Sequence, residues 1–426
     1  MSQDVESKIP FDIAVFANRG RLRLFVRAMC LVVAIGALWP VLSGTNLLAF
    51  VPALSPFVAI TSLLGNRTFH ILAWLGLIVG VIVLVRHRFF CRWICPVGLC
   101  ADGACKLGKR LGRRPMRVPL LGRWIVWLTL GGALVGYPFL LWLDPLALFS
   151  NAPFLVQKNS QLGMWLPATG FLAIVLLGIV WPHTWCERIC PLGAFQDILS
   201  QARRSLHSLI AIKNKNKKKR NIDLVIARRT VLGIAAGVAW AWATRPARAK
   251  TSSSIHPPGA RDESQFAGVC TRCGNCLRVC PSRIIERDFG QNGLAKIFTP
   301  VLSFASDYCR EDCIRCTQVC PSGALMRLSL KEKPFTQIGL PQVDMNVCLL
   351  GDDKECSVCK RWCPYDAIHY IFSETEYTLI PHIDHQKCTG CGACEAACPT
   401  TPRKAIVVLP NRIHQENRFS YRHVLL

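Results

Sequence analysis

Apolar positions follow two different patterns along this chain, and the change comes near residue 250. In the first half, long apolar stretches near residues 24–42, 69–86, 121–143 and 165–182 each approach the ~17–25 residues that a helix needs to cross hydrocarbon. They predict four membrane-spanning helices. In the second half the apolar runs shrink to Ile284-Ile285, Ala324-Leu325, Ala367-Ile368 and Ala405 to Leu409, each a few residues after a Cys-Pro pair, and predict short strands. The expected fold class is an α-helical membrane domain of four spans plus a signal-anchor-like segment, followed by an α+β domain.

Charge refines this picture. The chain has 426 residues, 51% of them hydrophobic, with 51 Lys and Arg against 26 Asp and Glu, a formal net charge of +25 and mean hydropathy of +0.30. Such a balance raises the question of nucleic acid, but the basic residues sit in short clusters between apolar spans: Arg19 to Arg23, Arg86 to Arg88, Lys106 to Arg117, Arg203-Arg204 and Lys213 to Arg220. The opposite loops carry Arg67 and Lys158, so the asymmetry places the N-terminus and the basic loops in the cytoplasm. Trp124, Trp142, Trp165 and Trp181 stand near span ends, as interfacial anchors do. No nucleic-acid partner is expected.

The chemistry lies in a cysteine pattern written four times. It runs Cys270, Cys273, Cys276, Cys280-Pro281; Cys309, Cys313, Cys316, Cys320-Pro321; Cys348, Cys356, Cys359, Cys363-Pro364; and Cys388, Cys391, Cys394, Cys398-Pro399. Three closely spaced thiolates can hold three corners of a cubane, while proline turns the fourth toward a neighbouring cluster. Four motifs imply four 4Fe-4S clusters in a tandem bacterial-type ferredoxin domain. Zinc needs no terminal Cys-Pro, no C-x-x-C pair is followed by histidine as haem attachment requires, and disulfides do not suit sixteen cysteines at this spacing. Fourth ligands are exchanged either between adjacent motifs, one with two and three with four, or by nesting, which would give Cys398 to the first motif; the spacings favour the adjacent exchange.

The membrane half repeats itself too. Ser55-Pro56 and Asp144-Pro145 read as helix caps in loops on the outer side, and the spans that follow lead to Cys91-Arg-Trp-Ile-Cys95-Pro96-Val97-Gly98 with Asp102 and to Cys186-Glu-Arg-Ile-Cys190-Pro191-Leu192-Gly193 with Asp197. Symmetry would gather Cys91, Cys95, Cys186 and Cys190 into a further redox site or metal centre. Cys30, Cys100 and Cys105 read as structural; His70 and His183 near span ends could ligate haem b or bond a quinone, but single histidines at interfaces more often do neither. Next, Arg228-Arg229, an apolar run to Thr244 and Ala247-Arg248-Ala249 suggest a twin-arginine signal or anchor that carries the following domain outward. The expected domains are thus a cytoplasmic N-terminus at 1–23, the membrane domain at 24–205, a basic cytoplasmic linker at 206–226, the signal or anchor at 227–250, a flexible linker at 251–266 and the four-cluster domain at 267–426.

On these residues, 20–205 resemble the NapH and MauN type of membrane ferredoxin-like protein, and 225–410 resemble the NapG and MauM type of exported ferredoxin. The resemblance implies a fusion of two usually separate partners in the inner membrane, with the ferredoxin domain in the periplasm. It also implies a quinol dehydrogenase component that passes electrons from membrane quinol to a periplasmic reductase or cytochrome, such as a nitrate-reductase-type system. The alternative it offers is an assembly factor that supplies reductant during maturation of a periplasmic redox enzyme. One departure is that NapH-type proteins carry a further cytoplasmic ferredoxin segment where this chain has the lysines from Lys213. A second difficulty is physical: cysteines on the inner side and clusters on the outer side would be separated by ~30 Å of hydrocarbon.

Overall fold

The computed structural model describes residues 10–39, 46–116, 118–155, 166–211, 217–245, 254–352, 354–374 and 377–411. Lys158, Trp165, part of the basic linker and the small-residue site at Ala247 to Ala249 lie outside the described residues. The first half is helical: α1 (Pro10–Leu38), α2 (Phe50–Ala53), α3 (Pro56–Asn66), α4 (Ala73–Val85), α5 (Phe89–Trp93), α6 (Pro96–Arg110), α7 (Leu121–Leu134), α8 (Pro145–Ser150), α9 (Thr169–Val180), α10 (Pro191–Ala211) and α11 (Lys217–Ala243).

The expected span at 24–42 falls, in its described part, on α1, which has 29 residues, but the other three coincide with helices that are shorter. Those at 69–86, 121–143 and 165–182 fall on α4, α7 and α9, with 13, 14 and 12 residues. At 1.5 Å per residue each is ~18–21 Å long, well under the ~30 Å of a bilayer core. The reason is visible at α7, which stops where Gly136 takes a φ of 85° and Pro138 follows. Among the described residues no single helix is long and apolar enough to cross a membrane, although the pair Leu47–Ala53 and Pro56–Asn66, bent by 91°, has the combined length and composition.

Ser55 and Asp144 are the caps that the sequence suggests, since Ser55 Oγ accepts from Val58 N at 3.3 Å and Asp144 Oδ1 from Leu146 N at 2.9 Å. Their location differs from the expectation. Both are fully buried, not in loops at an outer surface, and Ser55 Oγ donates to Asp144 Oδ2 at 2.6 Å. The two repeats therefore meet cap to cap. A carboxylate can be buried there because each of its oxygens has a donor.

Close packing elsewhere depends on glycine. Helix α11 lies along α7, where a Cβ on Gly237 would come 2.3 Å from Leu128 O and one on Gly131 2.2 Å from Ile234 O. Gly233 and Gly237 form the small-x-x-x-small spacing that lets helix backbones approach. The twin-arginine segment is thus a packed helix of this fold.

In the second half, β1 (Ile285–Arg287) pairs with β2 (Pro300–Leu302), β3 (Gly339–Val343) with β6 (Ile406–Pro410), and β4 (Ile368–Ser373) with β5 (Thr378–Ile383), all antiparallel. Three of the four expected runs after Cys-Pro supply β1, β4 and β6. The fourth does not form a strand, for Leu325 makes an isolated bridge with Ala260. That bridge corrects the reading of 251–266 as a flexible linker. Its described part packs into the domain: His256 is buried with Nδ1 at 2.8 Å from Pro300 O, and Gly259, with φ 76°, passes so near Met326 O that a Cβ would lie 2.6 Å from it. Glycine and proline serve here for close approach, not for freedom. One hydrophobic core runs through both halves, from Phe57 and Leu146 to Phe266 and Val319.

Gly237→Val should separate α11 from α7 and cost ~1–3 kcal/mol by overpacking, measured as a lower unfolding midpoint in detergent. Gly36→Ala, where a Cβ meets nothing within 4 Å, should change the same midpoint little.

Candidate functional site

The sixteen motif cysteines come together in four groups, each with three members from one motif and the fourth from its neighbour. Cys270, Cys273, Cys276 and Cys320 line a cavity of ≈ 30 Å³, and Cys348, Cys356, Cys359 and Cys398 line another of ≈ 30 Å³. Cys309 and Cys316 stand within electrostatic reach of Cys313 and Cys280. Cys394 has Cys391, Cys388 and Cys363 around it. This is the adjacent exchange, and Cys398 lies with the third motif's cysteines, not with the first.

Local backbone explains the grouping. Cys280 and Cys398 end short helices in extended conformation, at φ −72°, ψ 114° and φ −57°, ψ 125°, as a following proline dictates. Their thiols thereby leave the turn that holds the other three. Gly274 and Gly392, at φ 73° and 83°, make the left-handed turns between the second and third cysteines. Backbone N–H groups then aim at the sulfurs: Leu325 N donates to Cys320 Sγ and Ala367 N to Cys363 Sγ, each at 3.4 Å.

The donor sets suit a cubane better than a single ion. Zinc would need its sulfurs ~2.3 Å from one point. Among the described residues no three His, Cys, Asp or Glu side chains converge in that way. A cubane binds through four separate corners, so its ligands surround a cavity. Burial pushes the Cys270 and Cys391 thiols up to about 12, so they would ionise only on meeting metal, with release of protons.

The groups also have an order. Cys276 lies within electrostatic reach of Cys316, linking the first group to the second, and Cys309 N donates to Cys391 O at 2.9 Å, linking the second to the group of Cys388, Cys391, Cys394 and Cys363. The group of Cys348, Cys356, Cys359 and Cys398 is last.

In the helical half, Cys91, Cys95, Cys186 and Cys190 are brought together as the repeat predicts, each within reach of others in the set. Both motifs use the same devices. Cys95 N and Cys190 N close wide turns onto Phe90 O and Trp185 O, at 2.9 and 2.8 Å. Gly98 N and Gly193 N each donate to the second sulfur of their motif at 3.4 Å. Arg27 pairs with Asp102 at 2.6 Å and Arg88 with Asp197 at 2.5 Å. Sequence reading missed Gln196, whose Nε2 donates to Cys91 Sγ at 3.0 Å, while Cys105, read as structural, has its Sγ accepting from His183 N at 3.0 Å beside Cys186.

The two halves are joined at the first cysteine group. His70 Nε2 donates to Pro321 O at 2.7 Å and Asn66 Nδ2 to Ser322 O at 2.8 Å, beside Cys320. Asn275 Nδ2 reaches Leu48 O at 3.0 Å, and Asn151 bonds both Arg272 O and Arg287 Nη2.

Comparison with known proteins agrees with this geometry. A 4Fe-4S dicluster domain family matches residues 269–324 and 354–401, and a 4Fe-4S binding domain family matches 67–115 and 163–208. The chain is 36% identical to the ferredoxin-type protein NapG of Escherichia coli over 209 residues, 46% of this chain and 87% of the relative. It is 36% identical to the methylamine utilization ferredoxin-type protein MauM of Methylophilus methylotrophus over 176 residues, 40% of this chain and 76% of the relative. The chain belongs to the NapG/MauM family of ferredoxin-type proteins. Likeness to the ferredoxin-type protein NapF of Escherichia coli, 34% identical over 36% of this chain and 84% of that one, is of the same kind. No solved structure matches. This NapG/MauM relative is therefore a ferredoxin-type iron-sulfur electron-transfer protein, with an additional helical half.

The grouping fixes which double variants add. Cys270→Ala and Cys320→Ala should each cost about four irons, and their combination no more, whereas Cys309→Ala with Cys320→Ala should cost about eight. Iron and sulfide analysis of the purified chain measures it, and an additive Cys270/Cys320 pair would contradict the shared site.

Proposed function

We propose that this chain oxidises membrane quinol and delivers the electrons, through its ferredoxin domain, to an exported redox protein. The observation that carries the reading is the seating of the first cysteine group on two buried half-helices. Helix α8 begins at Asp144, within electrostatic reach of Cys91 and Cys95, and ends next to Asn151, which bonds Arg272 and Arg287 of the ferredoxin domain. Six residues at 1.5 Å make that helix only ~9 Å long. The distance that an uninterrupted span would impose is thus greatly shortened.

In this reading residues 24–205 sit in the inner membrane as the NapH-like part of the fusion, with α11 as a fifth, packed anchor that leaves the ferredoxin domain on the periplasmic side. The sixteen cysteines hold four clusters and Cys91, Cys95, Cys186 and Cys190 a fifth, which when bound supply one-electron carriers. The chain's own residues hold them in order and keep water away: Phe57, Leu146 and Leu192 pack the helical core in which Cys95 and Cys190 lie. Quinol releases two protons with its two electrons, and the electrons leave singly. The physiological acceptor is a periplasmic reductase or cytochrome.

Anaerobic membranes given a reduced quinol analogue should show bleaching of the cluster absorbance. Cys95→Ser with Cys190→Ser should abolish bleaching by quinol, retain bleaching by dithionite, and lower iron from about twenty to about sixteen atoms per chain. Parent clusters that dithionite reduces and quinol does not would instead support the assembly-factor function.

A further inference from the structure

The group of Cys270, Cys273, Cys276 and Cys320 is flanked by buried arginines that have no carboxylate partner among the described residues. Arg278 and Arg287 both place their guanidinium carbon over the Phe154 ring, at 4.8 and 4.7 Å. Arg278 Nε, Nη1 and Nη2 are buried without a hydrogen-bond partner among the described residues, as are Arg287 Nε and Nη1. Arg287 Nη2 donates to Asn151 Oδ1 at 2.8 Å, a neutral oxygen. The opposite charges within their reach are cysteines: Cys273 and Cys276 for Arg278, and Cys276, Cys273 and Cys270 for Arg287. Two guanidinium groups over one ring repel each other, and burying unpaired cations is costly. Something anionic must balance them.

A cubane with four thiolate ligands is an anion and gains one further negative charge with each electron it takes. Net charge around a cluster is one of the factors that set its potential. We propose that Arg278 and Arg287 are the built-in counter-charge of the cluster held by Cys270, Cys273, Cys276 and Cys320, and that they raise its reduction potential, so that this group receives electrons from the helical half. The second group has a lesser form of the device: Lys333 Nζ donates to Cys309 Sγ at 3.2 Å, but also to Arg310 O at 2.8 Å, which takes up part of its donor capacity. The two arginines are placed at the junction with the helical half, because Phe154 and Asn151, which hold the two guanidiniums, both follow α8. The proposal depends on cluster binding by these cysteines, and not on quinol as the donor.

The test is a mediated redox titration of the purified full chain, followed by electron paramagnetic resonance. Arg278→Gln or Arg287→Gln should lower the reduction constant of one cluster at least tenfold, about 59 mV for a one-electron couple. The affected signal should be the one missing from Cys320→Ala. Arg278→Lys and Arg287→Lys, which keep the charge, should retain most of the parent potential. Unchanged midpoints in the glutamine variants, an equal fall in the lysine variants, or an affected signal that persists in Cys320→Ala would each overturn the proposal. If the glutamine variants lose the cluster, the lysine variants decide: retention of cluster and potential supports the charge role, and loss of the cluster there too makes the arginines structural. Quinol is absent from the titration, so failure of the quinol reading would leave this result unaffected.

Discussion

A carboxylate can leave water only if its oxygens are met by donors, and Asp144 satisfies that condition with Ser55 Oγ on one side and the first N–H groups of α8 on the other. Much of the architecture follows from this contact. It joins the two helical repeats at their caps and buries the start of α3 and α8 in the core. The same contact lies near Cys91 and Cys95, and the far ends of the two half-helices form the surface on which the ferredoxin domain rests.

The ferredoxin domain depends on a different constraint. A short turn can present three thiols to one cavity, but the fourth, fixed in extended backbone before proline, must serve a neighbour. Exchange of that residue binds motifs into pairs, and contact between Cys309 and Cys391 joins the pairs end to end. A sequence of four sites results, with the first against the helical half and the third motif's group farthest along. The environment changes over this series, from arginines with no carboxylate partner among the described residues at the first group to a hydrogen-bonded lysine at the second and the Tyr370 hydroxyl, 3.5 Å from Cys359 Sγ, at the last.

The composition of the sites was legible along the chain, because ligand spacing is a local property. Cys-x-x-Cys-x-x-Cys-x-x-x-Cys-Pro specifies its own turn and its own outward thiol, and the caps at Ser55 and Asp144 and the duplicated Cys-x-x-x-Cys-Pro motifs are local in the same sense. Where the sequence misled, the cause was contact at a distance. Ser, Pro and Gly before Cys270 have the composition of a linker, yet those residues pack because Gly259 can approach Met326 O and Ala260 bridges Leu325. Long-range packing brought Ser55 to Asp144 and Cys309 to Cys391, and it set Arg278 and Arg287 on Phe154 with no carboxylate partner among the described residues. These pairs are far apart in the chain, and no local periodicity encodes them; they are set by which buried polar group finds its partner when the two halves pack together.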